Sequence, residues 1–267
     1  MPCACSNVEL EPADATTNLE EVHGMAGKGA VVVVGASSGI GEKIAKHYAD
    51  AGRRVYVSSR DQARADEAAG RIGGDVHGLA IDLAKPSGIA AGLAPVEGPV
   101  DYLVVPAVLR DQNSVREFEI EGAAALAVLK LVGYPETIHQ LLDRMHDESA
   151  VVLFGGLAKE KPYPGSTTVT SVNGGVEKML NTLVLEIAPV RINAIHPGMV
   201  LDSWFWEGKE PVREAVLART PTGRPVLEDH IVDATRFLLE NPSANGVNLN
   251  IDGGHQMRHL IFDPPNA

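Results

Sequence analysis

"AVVVVGASSGIGEKIAKHYADAG", residues 30–52, decides the fold. Ala30 to Val34 is an unbroken run dominated by β-branched side chains, as suits a strand buried on both faces of a parallel sheet. It ends at Gly35, and glycines at 35, 39 and 41 give the spacing G-x-x-x-G-x-G before a helical pattern. Gly35 lets the chain turn sharply off the strand. Gly39 and Gly41 remove side chains where backbone N–H groups and a helix N-terminus can face a pyrophosphate. A tight loop of the same composition is the bland alternative, but a position between a buried strand and a helix favours phosphate binding. Gly35, Ser37, Ser38, Gly39, Ile40 and Gly41 are therefore the expected phosphate-cradling residues.

The next strand, "RRVYVSS" (53–59), ends in Ser59 and Arg60, and no acid follows until Asp61. A carboxylate at this point would suit the ribose 2′-hydroxyl of NAD, whereas a guanidinium clasps a 2′-phosphate through parallel charge-assisted bonds. This favours NADP(H), with a solvated surface arginine as the competing explanation for Arg60. "GLAIDLAKP" (78–86) reads as a third strand closed by Asp82 and Leu83. Asp82 can accept from an adenine amino group, or cap the following helix, or both.

With these motifs the chain resembles a short-chain dehydrogenase/reductase. "GASSGIG" (35–41) is similar to that family's nucleotide turn, and "INAIHPGMV" (192–200) to its strand followed by Pro-Gly. "GRPVLEDHIVDATRFLL" (223–239) and "NGVNLNIDGG" (245–254) are similar to its last helix and last strand. The resemblance covers about residues 28–256. It implies a single α/β domain, a Rossmann-type doubly wound seven-stranded parallel sheet with helices on both faces, and a homodimer or homotetramer. It also implies that Pro106, Ala107, Pro197, Gly198, Val200 and Ser203 line the cofactor, Ser203 standing in for a usual threonine.

The positions where the resemblance places the chemistry are changed. The motif written N-N-A-G reads "VPAV" (105–108), the asparagine of the following helix falls at Glu121, and the serine closing the fifth strand falls at Gly156. The tyrosine position is Val169, and the lysine position four residues on is Asn173. None of the five tyrosines has a lysine four residues later. Reducing a ketone by hydride needs a proton for the developing alkoxide, and general acid catalysis is worth about 10²–10⁴-fold. Ordinary ketone reduction is thus disfavoured. Three readings remain: hydride transfer to an already electron-poor centre such as an imine, a non-redox cyclase or isomerase that keeps NADP, and a silent nucleotide-binding partner subunit.

Glu121, as a half-buried acid, Tyr163, from the loop before the helix, and Asn173, as a donor to the ribose hydroxyls, are the catalytic candidates. Each has an ordinary alternative, a solvent-facing helix glutamate or plain loop chemistry. Residues about 200–225 occupy the substrate-lid position and hold both tryptophans in "WFW" (204–206). Trp204, Phe205 and Trp206, with Gly156, Val169 and Arg110, are the expected substrate pocket, Arg110 suiting an acidic substrate. The aromatics equally suit pinning the lid, and Arg110 suits the surface. Helices are expected at about 114–146 and 167–187, and the second carries more apolar residues than one face needs, which suggests a partner helix.

The 267 residues suffice for one large domain, with 45 % hydrophobic and 22 % charged residues. A formal charge of −12 argues against nucleic acid or an anionic membrane as the main partner. No apolar run approaches the roughly 20 residues that span a bilayer and no signal pattern opens the chain, so the expected compartment is the cytoplasm. Residues 1–27, with both cysteines at Cys3 and Cys5, read as a poorly ordered tail, and 257–267 as a second; no metal site is expected.

Overall fold

Val31 to Val34 are each fully buried, because β1 (Ala30–Val34) runs down the middle of a sheet covered on both sides. The computed structural model describes residues 29–260; the tail expected at 1–27, with its cysteines, lies outside them. Seven strands follow the order β3-β2-β1-β4-β5-β6-β7, and every neighbouring pair is parallel. The others are β2 (Val55–Ser59), β3 (Val76–Ala80), β4 (Val100–Val105), β5 (Ala150–Phe154), β6 (Arg191–Pro197) and β7 (Asn248–Ile251). The eight α-helices among the described residues are α1 (Gly39–Asp50), α2 (Gln62–Ile72), α3 (Ile89–Leu93), α4 (Ile120–Leu131), α5 (Gly133–Leu141), α6 (Thr167–Glu186), α7 (Glu210–Ala218) and α8 (Glu228–Glu240).

Alternation along β1 divides the core into two. Val32 and Val34 pack with Tyr134, Ile138, Val176 and Leu180 from α5 and α6. Val31 and Val33 pack with Ile44, Tyr48, Ile72 and Ile231 from α1, α2 and α8. Each such side chain withdrawn from water contributes roughly 1.5–3 kcal/mol. Strand order reverses between β1 and β4, so the loops leaving their carboxyl ends diverge and open a crevice there.

One expected helix is divided. Residues 114–146 form a loop, then α4, then α5, then a 3₁₀ turn at Leu142–Arg144. Pro135 has no N–H to continue the hydrogen-bond ladder of α4, but is tolerated in the first turn of a new helix. On α6, Val172, Val176, Leu180 and Leu183 are buried and Met179 and Val184 pack partly against the same core, so most of the surplus apolar stripe is consumed within the chain. Residues 200–226 leave and return at one place, where Val200 bridges Val226. At the carboxyl end a 3₁₀ helix, His255–Leu260, extends past the expected boundary at 257.

Candidate active site

The crevice at the switch point is built first by the turn after β1. Gly35 has φ +105°, and a Cβ there would stand 2.7 Å from Ala107 Cα, so only glycine lets the two diverging loops meet. Its N–H donates to Ser58 Oγ at 3.1 Å. Ser38 is the N-cap of α1 but its side chain makes no capping bond, leaving the positive end of the helix open beside Gly39 and Ile40. An uncapped helix start behind a side-chain-free turn fits a dinucleotide pyrophosphate. Arg71 reaches this turn from α2, donating to Ser37 O at 2.9 Å and pairing with Glu42 at 3.1 Å. Behind it, Lys43 pairs with Asp229 at 2.8 Å and Glu228 at 3.5 Å, and Asp202 accepts the Glu228 N–H at 2.9 Å. Asp202 is thereby spent on the start of α8.

At the end of β2, Arg60 is exposed and has no hydrogen bond or ion pair among the described residues, while Ser59 is half-buried. Asp61, the nearest acid in sequence, caps α2 by accepting the Arg64 N–H at 3.1 Å. Asp82 Oδ1 accepts from Ala84 N–H at 3.1 Å within a turn and caps no helix, since the next helical turn begins at Pro86 with Lys85 as its N-cap; the Leu83 side chain is buried in the core.

The second half of the site lies where β5 meets α6. Gly156 follows β5, and a Cβ there would stand 2.7 Å from Asn173 Nδ2. Asn173 is buried, one turn along α6 from the half-buried Val169. Its Oδ1 accepts from Lys130 Nζ at 2.9 Å, and the same ammonium donates to Phe154 O at 3.0 Å and Gly155 O at 3.3 Å. Burial pulls the Lys130 ammonium down to about 8. Tyr134 places its hydroxyl 2.8 Å from Ala107 O and 3.2 Å from Phe154 O, and burial pushes its phenol up. On β6, His196 Nδ1 accepts the Gly156 N–H at 3.2 Å while Nε2 lies 2.8 Å from Asn248 Oδ1. That pairing defines the neutral Nε2–H tautomer, and burial holds the ring down to about 4.

Glu121 is not part of this cluster. It is exposed in the first turn of α4, where its N–H, with that of Gly122, is capped by the Glu119 carboxylate at 2.8 and 2.6 Å. The expectation of a half-buried acid at 121 is corrected: the α4 residue that reaches Asn173 is Lys130, more than two turns later. The signal was a lone charge in the apolar run "AAALAVLKL" (123–131). Tyr163 is 54 % exposed, its main chain held by Ser166, whose Oγ accepts the Tyr163 N–H at 3.0 Å and donates to Tyr163 O at 2.7 Å. Buried Asn113 fastens the 106–119 loop to this one, donating to Gly165 O and accepting from Thr167 N–H through its backbone.

Pro197 ends β6, Gly198 N–H donates to Ile251 O at 2.8 Å, and Val200, Leu201 and Ser203 lead into a 3₁₀ turn at Trp204–Trp206. Arg110, after β4, stacks 3.5 Å from the Phe205 ring centroid and 5.7 Å from that of Trp204; Lys209 Nζ lies 3.4 Å from the Phe205 centroid. Two cations thus hold the Phe205 ring, while Trp204 remains 62 % exposed. Burial alone lowers the Arg110 guanidinium, which has no anionic partner among the described residues.

A doubly wound parallel sheet with an uncapped glycine turn at its switch point defines a Rossmann-type protein. The chain belongs to the short-chain dehydrogenase/reductase family: the sequence profile described as enoyl-(acyl carrier protein) reductase matches residues 35–256. A short-chain dehydrogenase/reductase of Stachybotrys chlorohalonatus is 25 % identical over 242 residues, covering 84 % of this chain and 95 % of that protein. The 3-oxoacyl-[acyl-carrier-protein] reductase of Bos taurus is 28 % identical over 232 residues, covering 84 % and 97 %. The MalC reductase/Diels-Alderase from Malbranchea aurantiaca shares the fold, with a TM-score of 0.79, 20 % identity and coverage of 86 % and 96 %. Reductases of this family use nicotinamide cofactors. No helix among the described residues is long and apolar enough to cross a membrane, and no group of three metal-ligating side chains occurs among them.

Proposed function

We propose that the chain is an NADP(H)-dependent oxidoreductase with an atypical site, acting on a small organic substrate whose acceptor carbon is already electron-poor, an iminium above all. The observation that carries this reading is the β5–α6 junction. Gly156, Val169 and Asn173 supply no hydroxyl there, and the ionisable groups packed beneath, Lys130 and Tyr134, are buried with their donors taken by protein oxygens. An iminium accepts hydride without building an alkoxide, so the missing phenolic acid costs it nothing.

The nucleotide, when bound, supplies the hydride. The uncapped start of α1 with Gly35, Ser37, Ser38 and Gly39 would hold its pyrophosphate, and Ser59 with Arg60 its 2′-phosphate. Pro106, Ala107, Pro197, Gly198, Val200 and Ser203 would flank the nicotinamide, and the Asn173 carboxamide a ribose hydroxyl. The lid turn excludes water, and Arg110, clamped on Phe205, offers a cation to an acidic substituent. Preference for NADPH is supported by the free guanidinium of Arg60 and by the engagement of Asp61 in capping. The outer surface of α4 and α6, with Leu185 80 % and Val132 46 % exposed, is the face we assign to a second copy of the chain. Cytoplasmic residence accords with the same reading.

The test is titration with NADPH and NADH, followed by a substrate screen that records NADPH absorbance and product mass together. Tighter NADPH binding and oxidation of NADPH with a reduced product is the expected result. Equal weak binding of both nucleotides overturns the Arg60 argument. A product with unchanged absorbance points to a cyclase or isomerase, and binding without turnover to a silent subunit.

A further inference from the structure

We infer that Lys130 is a positioning residue of the site, an ammonium that acts through Asn173 to aim the Asn173 Nδ2 at an oxygen of the bound nucleotide or substrate. An ammonium is thus supplied from α4 to a carboxamide on α6. This rests on the nucleotide-binding reading above.

Lys130 is 3 % exposed, and its three N–H groups match three oxygens, on Asn173, Phe154 and Gly155. A neutral amine has two N–H groups and would turn a lone pair toward one of these oxygens, so the cage selects the ammonium. Because an ammonium only donates, the atom of Asn173 facing it is Oδ1, and Nδ2 is turned to the space above Gly156. A donor polarised from behind by a cation binds an oxygen more strongly than a lone amide. No carboxylate pairs with Lys130 among the described residues, so this buried charge is balanced by neutral carbonyls alone. From α5 it faces the neutral phenol of Tyr134; from β6, the neutral ring of His196. One turn further along α6, Glu177 is engaged by Lys159 at 2.5 Å and Lys178 at 2.7 Å. Burial sets the Lys130 ammonium to lose its proton at about 8, within reach of a binding titration.

The experiment is the NADPH dissociation constant as a function of pH for the wild type, Lys130→Met and the exchange variant Lys130→Asn/Asn173→Lys, with thermal melting in parallel. Wild-type binding is expected to weaken as pH rises through about 8. Lys130→Met is expected to bind about tenfold or more weakly near neutrality and to show no such break; its melting temperature is expected to fall, because Asn173 Oδ1 and Gly155 O lose their buried donor. The exchange variant is expected to recover most of the lost affinity. Binding by Lys130→Met equal to the wild type at every pH overturns the inference. If that variant fails to fold, a wild-type profile flat through about 8 overturns it. A wild type that binds neither dinucleotide defeats the underlying reading instead, and the inference with it.

Discussion

Adding one methyl group at position 156 tests the geometry on which the site depends. In Gly156→Ala the new Cβ would lie 2.7 Å from Asn173 Nδ2 and 3.4 Å from its Cγ. Ordinary contact is about 3.5–4.0 Å, so the amide must retreat by nearly an ångström or rotate. Neither is free, since Asn173 is buried and its Oδ1 is held by Lys130 at 2.9 Å. Rotation breaks a bond to a charged donor, and such bonds contribute about 1.5–3 kcal/mol. At about 2–4 °C per kcal/mol for a chain of this size, melting should fall by roughly 3–12 °C. The assay is calorimetric unfolding of the wild type, Gly156→Ala, Asn173→Ala and the double variant. With the Asn173 amide gone the methyl has nothing to strike, so the double variant should be more stable than the sum of the singles by about 1.5–3 kcal/mol. Additivity within about 0.5 kcal/mol, or an unchanged melting temperature for Gly156→Ala, would refute the account.

Other outcomes follow from the same contacts. Arg60→Ala is expected to weaken NADPH binding by about tenfold or more and leave NADH unchanged, checked by fluorescence titration; parallel losses for both nucleotides defeat the 2′-phosphate assignment. His196 is held down to about 4 by burial, below its unfolded value of 6.5, so its contribution to stability is present above pH 6.5 and lost as pH falls through 4. That loss amounts to at most about 3 kcal/mol, and His196→Gln should flatten the urea midpoint over the same window. Equal slopes for both proteins would remove the buried-imidazole argument. Tyr163→Phe is expected to leave turnover on any identified substrate unchanged; a large fall in kcat would restore Tyr163 as proton donor. Asn173→Lys alone sets a second ammonium against Lys130 and should lower the melting temperature, whereas the added Lys130→Asn should restore it.

Local pattern was enough for the sheet, the turn and the order of elements. The valines of β1 record burial on two faces, and the glycines at 35, 39 and 41 record a close approach, because each signal is carried by neighbours in the chain. What packing alone decided is which side chains meet. Lys130 and Asn173 are 43 residues apart, Arg71 and Ser37 are 34 apart, and Arg110 meets Phe205 only because the loop after β4 lies beside the lid. The displacement of the expected site residue from Glu121 to Lys130 has the same origin: a helix beginning at Ile120 puts its first turn in solvent and turns residue 130 toward α6. Strand and turn signals are short-range, but a buried charge is placed by two helices packing together, and no periodicity within either one records the other.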